Sequence, residues 1–175
     1  MGIDEKTKAA AWQQIRQYGD PVLMEESRAV EPGEEARLLS GRMIKIMYGA
    51  DGVGLAAPQI GILQRLIVFR FGSEEPQVLL NPEITWQSED TATEAEGCLS
   101  FASLCVDVER ALGIRVRGQD LEGNPAGFEL DGLQARILQH EIDHLSGVMI
   151  HNRTSREQRK DLMGRLRQVK LPGER

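Results

Sequence analysis

No run of 18 consecutive apolar residues occurs in the 175-residue chain, so a membrane-spanning helix is not expected. The opening Met1-Gly2-Ile3-Asp4-Glu5-Lys6 lacks the apolar stretch of a secretory signal. Lys6 also stands where a myristoylation motif requires Ser or Thr. A cytoplasmic location is the expectation that follows. Cysteine is scarce: Cys98 and Cys105 are the only two, and in a reducing compartment they read as free thiols or ligands rather than a disulfide. No internal repeat, low-complexity tract or linker interrupts the chain. Its length suits a single domain over residues 1–175 with a sizeable core. A glycine-rich loop is present, but no Gly-Lys-Ser/Thr follows it, which argues against phosphate cradling.

What is present is ordinary for a soluble globular protein, with 41% hydrophobic and 27% charged residues. The charge is unevenly spread. Residues 152–175 hold eight Lys/Arg against three Asp/Glu, a net of +5, so an overall −6 leaves about −11 on the rest.

Residues 34–48 carry Glu34 and Glu35 at the front, with Leu39, Met43 and Ile46 at helical spacing, which predicts a helix closed by Gly49. The loop Asp51-Gly52-Val53-Gly54 and Leu55-Ala56-Ala57-Pro58-Gln59 follow. Short β-rich runs stand at Leu66–Phe69, Val78–Leu80 and Ile114–Arg117, and the turn Glu122-Gly123-Asn124-Pro125 predicts a hairpin into Phe128–Leu130. A further helix spans about Leu133 to Ser146, with Gly147 as its stop. Strands followed by a helix, without regular βαβ alternation, argue for an α+β fold with antiparallel or mixed sheets packed around that central helix.

This helix contains His140-Glu141-Ile142-Asp143-His144. Residues four apart lie on one helix face, so the two imidazoles can hold one metal ion, with Glu141 beside them to take a proton from an activated water. The surrounding Leu133, Ile137, Leu138, Ile142, Leu145, Val148 and Met149 make the helix apolar enough to be buried. Buried histidines and a carboxylate need partners, which a metal would supply.

A catalytic site of this kind needs a third protein ligand. Gly147 suits the extended pattern H-E-x-x-H-x-x-G-x-x-H, but its last position is Ile150, and His151 comes one residue late. One residue is about 100° of helical direction, so His151 does not serve. Glu157 and Glu174 are downstream candidates in a polar tail. Upstream, Glu96-Gly97-Cys98-Leu99-Ser100 offers a thiolate, a strong ligand for first-row divalent ions. Taken alone, Cys98 reads rather as a small buried hydrophobe, the usual fate of a lone cysteine.

Gly52-Val53-Gly54-Leu55-Ala56-Ala57-Pro58-Gln59, Glu96-Gly97-Cys98-Leu99-Ser100 and Gln139-His140-Glu141-Ile142-Asp143-His144 resemble the three signature motifs of peptide deformylases, in order and at similar spacing. Ile15–Leu23 and Leu79-Leu80-Asn81-Pro82 are also similar to that family, and the resemblance runs from about Ile15 to Arg153. It implies a catalytic core over about residues 15–153 that hydrolyses N-formyl-methionyl peptides to formate and a free amine. It implies Cys98, His140 and His144 as ligands of one divalent ion with water in the fourth position, Fe²⁺ in the cell, with Zn²⁺, Ni²⁺ or Co²⁺ accepted. Glu141 is then the general base and acid. The Gln59 side chain and the Leu99 backbone N–H become the oxyanion donors. Val53, Gly54, Gly97 and Ile137 are expected along an extended-peptide groove, with Ile44 a further candidate for the methionine pocket. Glu96 and Arg110 are expected to pair and orient the cysteine loop rather than form a surface ion pair.

The chain departs from the family pattern over Phe101–Asp107, where Cys105 stands near the position of a common arginine or tyrosine. Losing such a contact to a peptide carbonyl would cost about 1.5–3 kcal/mol of binding, so peptide preference is open while the chemistry is expected to persist. Cys105 itself reads as a structural thiol. An amidase of altered acyl or peptide specificity, or a weakly active formyl-peptide-binding protein, are the alternative readings. Retention of Glu141 argues against a pure binder. The basic segment 154–170 is read as a C-terminal helix with Leu162, Leu166 and Val169 as a narrow apolar stripe, weakened by Gly164. A solvated helix resting on the domain is one reading of it. The resemblance implies the other, contact with the ribosome through its RNA, with no membrane or DNA partner.

Overall fold

The computed structural model describes residues 4–72 and 75–170. Two helices open the chain, α1 (Glu5–Trp12) and α2 (Glu34–Gly49). Helix α2 begins on Glu34 and Glu35 and buries Ala36, Met43, Ile46 and Met47 along one side. Seven strands follow: β1 (Gly54–Ala56), β2 (Leu66–Phe69), β3 (Gln77–Gln87), β4 (Thr91–Gly97), β5 (Cys105–Ala111), β6 (Gly113–Gln119) and β7 (Pro125–Asp131). Helices α3 (Gly132–Leu145), α4 (Ile150–Arg153) and α5 (Arg156–Leu166) complete it.

Strands β1-β2-β3-β6-β7 form one sheet in that order, and β4 pairs with β5 in a separate ribbon. Every ladder among the described strands is antiparallel, so the sheets are not mixed. The architecture is α+β.

Strand β2 explains how α3 comes to lie at the centre. Its Leu-Ile-Val-Phe run is buried at all four positions. Side chains alternate across a strand, so Leu66 and Val68 join the cluster of Met43, Ile46 and Met47 from α2. Ile67 and Phe69 join Ile137, Leu138 and Leu145 of α3 on the opposite face. The sheet is thus covered by α2 on one side and α3 on the other. A third cluster brings Cys98 together with Phe101, Val106, Val108, Met149, Ile150 and Leu162.

Gly147 stops α3 as expected. It adopts φ +69°, and a Cβ there would lie 2.5 Å from the Met24 carbonyl oxygen, so only glycine closes this turn. Its N–H and that of Val148 reach the carbonyls of His144 and Asp143 at 3.2 and 3.0 Å.

The C-terminal helix is shorter than residues 154–170. Thr154 is extended, Ser155 caps the helix by accepting from the Gln158 N–H, and the helix closes at Leu166, leaving Val169 outside it. Leu162 is fully buried and anchors α5 to the domain. Side chains of this arm cover the outer edge of β5. Gln158 accepts from Asp107 N at 2.7 Å, Thr154 donates to Asp107 O at 2.9 Å, and Arg165 donates to Cys105 O at 2.7 Å. The helix therefore rests on the domain, as one of the two readings of the tail required.

Candidate metal centre and active-site cleft

Helix α3 presents His140 and His144 one turn apart, and the end of β4 delivers Cys98 to the same point. All three are buried, and their ligand atoms lie within 4.8 Å of one another. His140 Nε2 stands 3.1 Å from His144 Nε2, which is 3.4 Å from Cys98 Sγ. Tetrahedral bonds of about 2.0–2.3 Å give donor separations of about 3.4–3.6 Å, so the spacing suits one ion. His151, Glu157 and the upstream Cys105 are not part of this group. His151 packs instead against the rings of Tyr18 and Phe101, with centroids at 5.1 and 5.5 Å. Glu174 lies outside the described residues.

The orientation of His140 is fixed from behind. Its Nδ1 donates to Glu96 Oε1 at 2.6 Å, which leaves Nε2 with its lone pair facing the site. Burial works to raise the pKa of Glu96, but hydrogen bonds from His140 and Arg110 outweigh it and hold the carboxyl well below its ordinary value. Arg110 gives Glu96 two bonds, at 3.1 and 2.7 Å, and Arg136 gives a third at 3.1 Å. Asp143 then pairs with Arg110 and with Arg153. The Glu96–Arg110 pair is buried, not a surface ion pair.

With protons as the only cations, the histidines divide sharply. Burial lowers both. At His140 the thiol of Cys98 and the carboxylate of Glu96 prevail, and its pKa stands well above the usual value. At His144 burial dominates, reinforced by His140, and its pKa falls well below. The two ring nitrogens stand 3.1 Å apart, and a divalent ion bound there would take the place of a proton.

Glu141 is buried beside this group, and its Oε2 has no hydrogen-bond partner among the described residues. Burial raises its pKa to about 7. The carboxylate lies against the glycine loop: a Cβ on Gly54 would stand 2.2 Å from Glu141 Oε1. Gly54→Ala should therefore displace the Glu141 carboxylate or destabilise the fold, read as a lower melting temperature. A melting temperature equal to wild type would show that the carboxylate does not depend on the gap.

Gln59 is also buried. Its Oε1 accepts from Ala56 N at 2.9 Å, so its Nε2 faces the cysteine loop, 3.2 Å from Ser100 Oγ and 3.8 Å from Cys98 Sγ. Leu99 opens a short 3-10 turn, Leu99–Phe101, where a first-residue N–H has no partner within the turn.

A cleft of about 360 Å³ leads to these groups, and Val53, Gly54, Gly97, Leu99 and Ile137 are among its walls. Strand β1 is an edge of its sheet and β4 is paired with one strand only, and Gly54 of the one and Ala95, Glu96 and Gly97 of the other line the cleft. Ile44 does not reach the cleft. It sits on α2 and packs into the cluster on the far face of the sheet. Cys105 is exposed and lines the cleft, so it is not a buried structural thiol; Arg136 is a cleft residue the motifs did not include, and Ser100 and Leu133 were named without a role at the site. Helical spacing could have found Arg136, one turn before His140, and Asp143 three residues after it.

Residues 12–160 match the family model described as polypeptide deformylase. The chain belongs to the peptide deformylase family. It is 44% identical to a peptide deformylase of Thermotoga neapolitana over 156 residues, covering 89% of this chain and 94% of that one. Its structure resembles a peptide deformylase from Thermus thermophilus, with TM-score 0.82 and 43% identity over 89% of this chain and 93% of that one. It also resembles one from Synechococcus elongatus in complex with actinonin, with TM-score 0.83 and 38% identity over 86% and 85% of the two chains. As a peptide deformylase, the chain is a metal-dependent hydrolase that removes the formyl group from the N-terminal formyl-methionine of nascent polypeptides. No helix among the described residues is long and apolar enough to cross a membrane.

Proposed function

We propose that Cys98, His140 and His144 hold one divalent ion, Fe²⁺ in the cell, and that Glu141 moves the protons of formyl hydrolysis. The observation that carries this reading is the convergence of three buried donors within 4.8 Å beside a buried carboxylate with an unpartnered oxygen. The donor set is one thiolate and two imidazoles, which suits iron, zinc, nickel and cobalt alike. When bound, the ion lowers the pKa of a water and polarises the formyl carbonyl.

The chain's own groups do the rest. The peptide extends between β1 and β4, with its methionine side chain against Val53, Leu133 and Ile137. Leu99 N–H and the Gln59 amide face the formyl oxygen as it gains charge. Glu141 takes a proton from the attacking water and passes it to the amine nitrogen as the C–N bond breaks. Formate and a free α-amine leave.

Formate release from formyl-Met-Ala-Ser by anaerobically purified, Fe²⁺- or Ni²⁺-loaded protein tests the reading, with the acetyl-peptide as control. Turnover of the formyl-peptide alone is expected. Equal turnover of both, or of neither with one ion bound per chain, would overturn it. Gln59→Glu, which keeps the acceptor for Ala56 N and removes the amide donor, should lose about 3–4 kcal/mol of transition-state stabilisation. An unchanged kcat/KM would remove Gln59 from the oxyanion role. The exposed Cys105 in the cleft wall favours a second reading of substrate preference, in which a short thiol side chain replaces a cationic or phenolic contact to the peptide.

The whole chain, residues 1–175, acts as one deformylase unit, with its core over about 15–153 and its working compartment the cytoplasm. Arg156, Arg159, Lys160 and Arg167 line an outward groove on α5, a surface suited to ribosomal RNA. Truncation at Asn152 would strip the buried Leu162 from the core, so charge reversal is the cleaner probe. Arg159→Glu with Lys160→Glu should reduce co-sedimentation with ribosomes at low salt; equal pelleting with wild type would exclude this contact.

A further inference from the structure

We propose that Gln17 is a positioning residue for the reaction, locking the turn 98–103 so that the Leu99 N–H faces the cleft. This rests on the oxyanion role given to Leu99 above. The Cys98 carbonyl accepts two backbone N–H groups, from Phe101 at 2.9 Å and Ser103 at 3.0 Å. In a trans peptide unit the C=O and N–H point in opposite directions. The Leu99 N–H, sharing that unit, is thereby turned away from the loop and toward the cleft that Leu99 lines.

The arrangement depends on an unfavourable backbone. For Ser103 N to reach Cys98 O the chain doubles back through Ala102 at φ +53° and Ser103 at φ +59°, neither of them glycine. A Cβ makes the left-handed region sterically disfavoured, so surrounding contacts must hold these residues there. The Gln17 amide does so from both ends of the turn. Its Nε2 donates to Leu99 O at 3.1 Å, and its Oε1 accepts from Ala102 N at 3.2 Å. The neighbouring residue adds to the grip: Tyr18 N donates to Ser100 O at 2.8 Å, and its ring stacks on Phe101 with centroids 4.9 Å apart. Gln17 is not among the cleft-lining residues, so it acts through Leu99 rather than on substrate.

The test uses full-length, metal-loaded Gln17→Met and Gln17→Glu. Met keeps the length and removes both bonds to the turn, together with a longer one from Nε2 to Ile15 O at 3.4 Å; Glu keeps the acceptor for Ala102 N and loses the donor to Leu99 O. Three readouts are taken: kcat and KM for formyl-Met-Ala-Ser, metal per chain, and amide hydrogen exchange over 98–103. Displacing a reacting-site donor by about 1 Å costs up to about 10²-fold. Gln17→Met should lose 10- to 100-fold in kcat with KM and metal content unchanged, and exchange should speed up in 98–103 alone. Gln17→Glu should move the same way by less, and it carries the test should the Met variant fail to fold. Wild-type kcat in both, or a loss of kcat that merely follows loss of metal, would overturn the proposal. A wild type inert toward formyl-peptides would instead overturn the oxyanion reading, and the exchange experiment would still report on the clamp.

Discussion

Glu141→Gln is expected to bind its metal ion as the wild type does and to lose about 10²–10⁴-fold in kcat, the usual worth of a general acid–base group. The substitution keeps the shape of a side chain packed against Gly54 and removes only its capacity to take up a proton. Formate release at saturating substrate, with metal analysis on the same preparation, separates the two effects. Activity within tenfold of wild type would take the proton-transfer role from Glu141. A second consequence concerns stability with the metal chelated. Burial lifts the Glu141 pKa to about 7 from an ordinary 4.5. The folded chain then holds a proton that the unfolded chain releases, so wild-type stability is full below about pH 4.5 and falls as pH rises toward 7. The Gln variant carries no such penalty. In EDTA it should melt above the wild type at pH 8, by on the order of 3 kcal/mol, with the gap closing near pH 4. A gap that widened in acid would mean the carboxylate is ionised in the folded protein.

Helix α2, strand β2 and the β6–β7 hairpin were readable because local pattern and tertiary role agree there. Leu66–Phe69 is an apolar run because it is covered on both faces, and Glu34-Glu35 suits a helix start wherever it is placed. The β4–β5 ribbon was less visible. Strand β4 reads Thr-Ala-Thr-Glu-Ala-Glu-Gly, of which only Glu96 is buried, so its apolar pattern carries almost no strand signal. Its inward residue is a carboxylate, stabilised by partners distant in sequence. Strand β5 does alternate, with Val106, Val108 and Arg110 inward, but the third of these is charged and breaks the apolar count.

The site divides in the same way. Spacing alone puts His140 and His144 on one helical face, because four residues make about one turn, and leaves Glu141 beside the first. No local rule brings Cys98 to them; that depends on where β4 ends against α3, and only the family resemblance anticipated it. Ile44 failed for a related reason. Its helical position was legible, but which face of the sheet α2 covers is decided by β2, whose two sides go to different helices. Arg136 and Gln17 carry no motif, and their parts are defined by contacts to residues 40 and more than 80 positions away.

Glu96→Ala should be the most damaging substitution outside the metal ligands, lowering stability by about 3–5 kcal/mol. The side chain is 6% exposed and accepts from Arg110, Arg136 and His140 at once. Removing it leaves the His140 Nδ1–H without its partner and two buried guanidinium groups without their shared carboxylate, Asp143 remaining on Arg110 and Glu94 on Arg136. For a chain of this length the loss corresponds to a melting temperature lower by about 10 °C. The same change frees the His140 ring, and losing such a partner typically costs about 10–100-fold in metal affinity. Glu96→Gln separates these effects. It restores volume and one acceptor, so part of the stability should return. It cannot accept from all three donors as a carboxylate does, so metal affinity should stay low. Because the Glu96 pKa is depressed in the folded chain, its contribution is present above the unfolded value and lost as pH falls toward the folded one. The stability gap between wild type and Glu96→Gln should therefore narrow in acid. A gap that is flat from pH 7 to pH 3, or a Gln variant that binds metal as tightly as wild type, would show that Glu96 packs the loop without orienting His140.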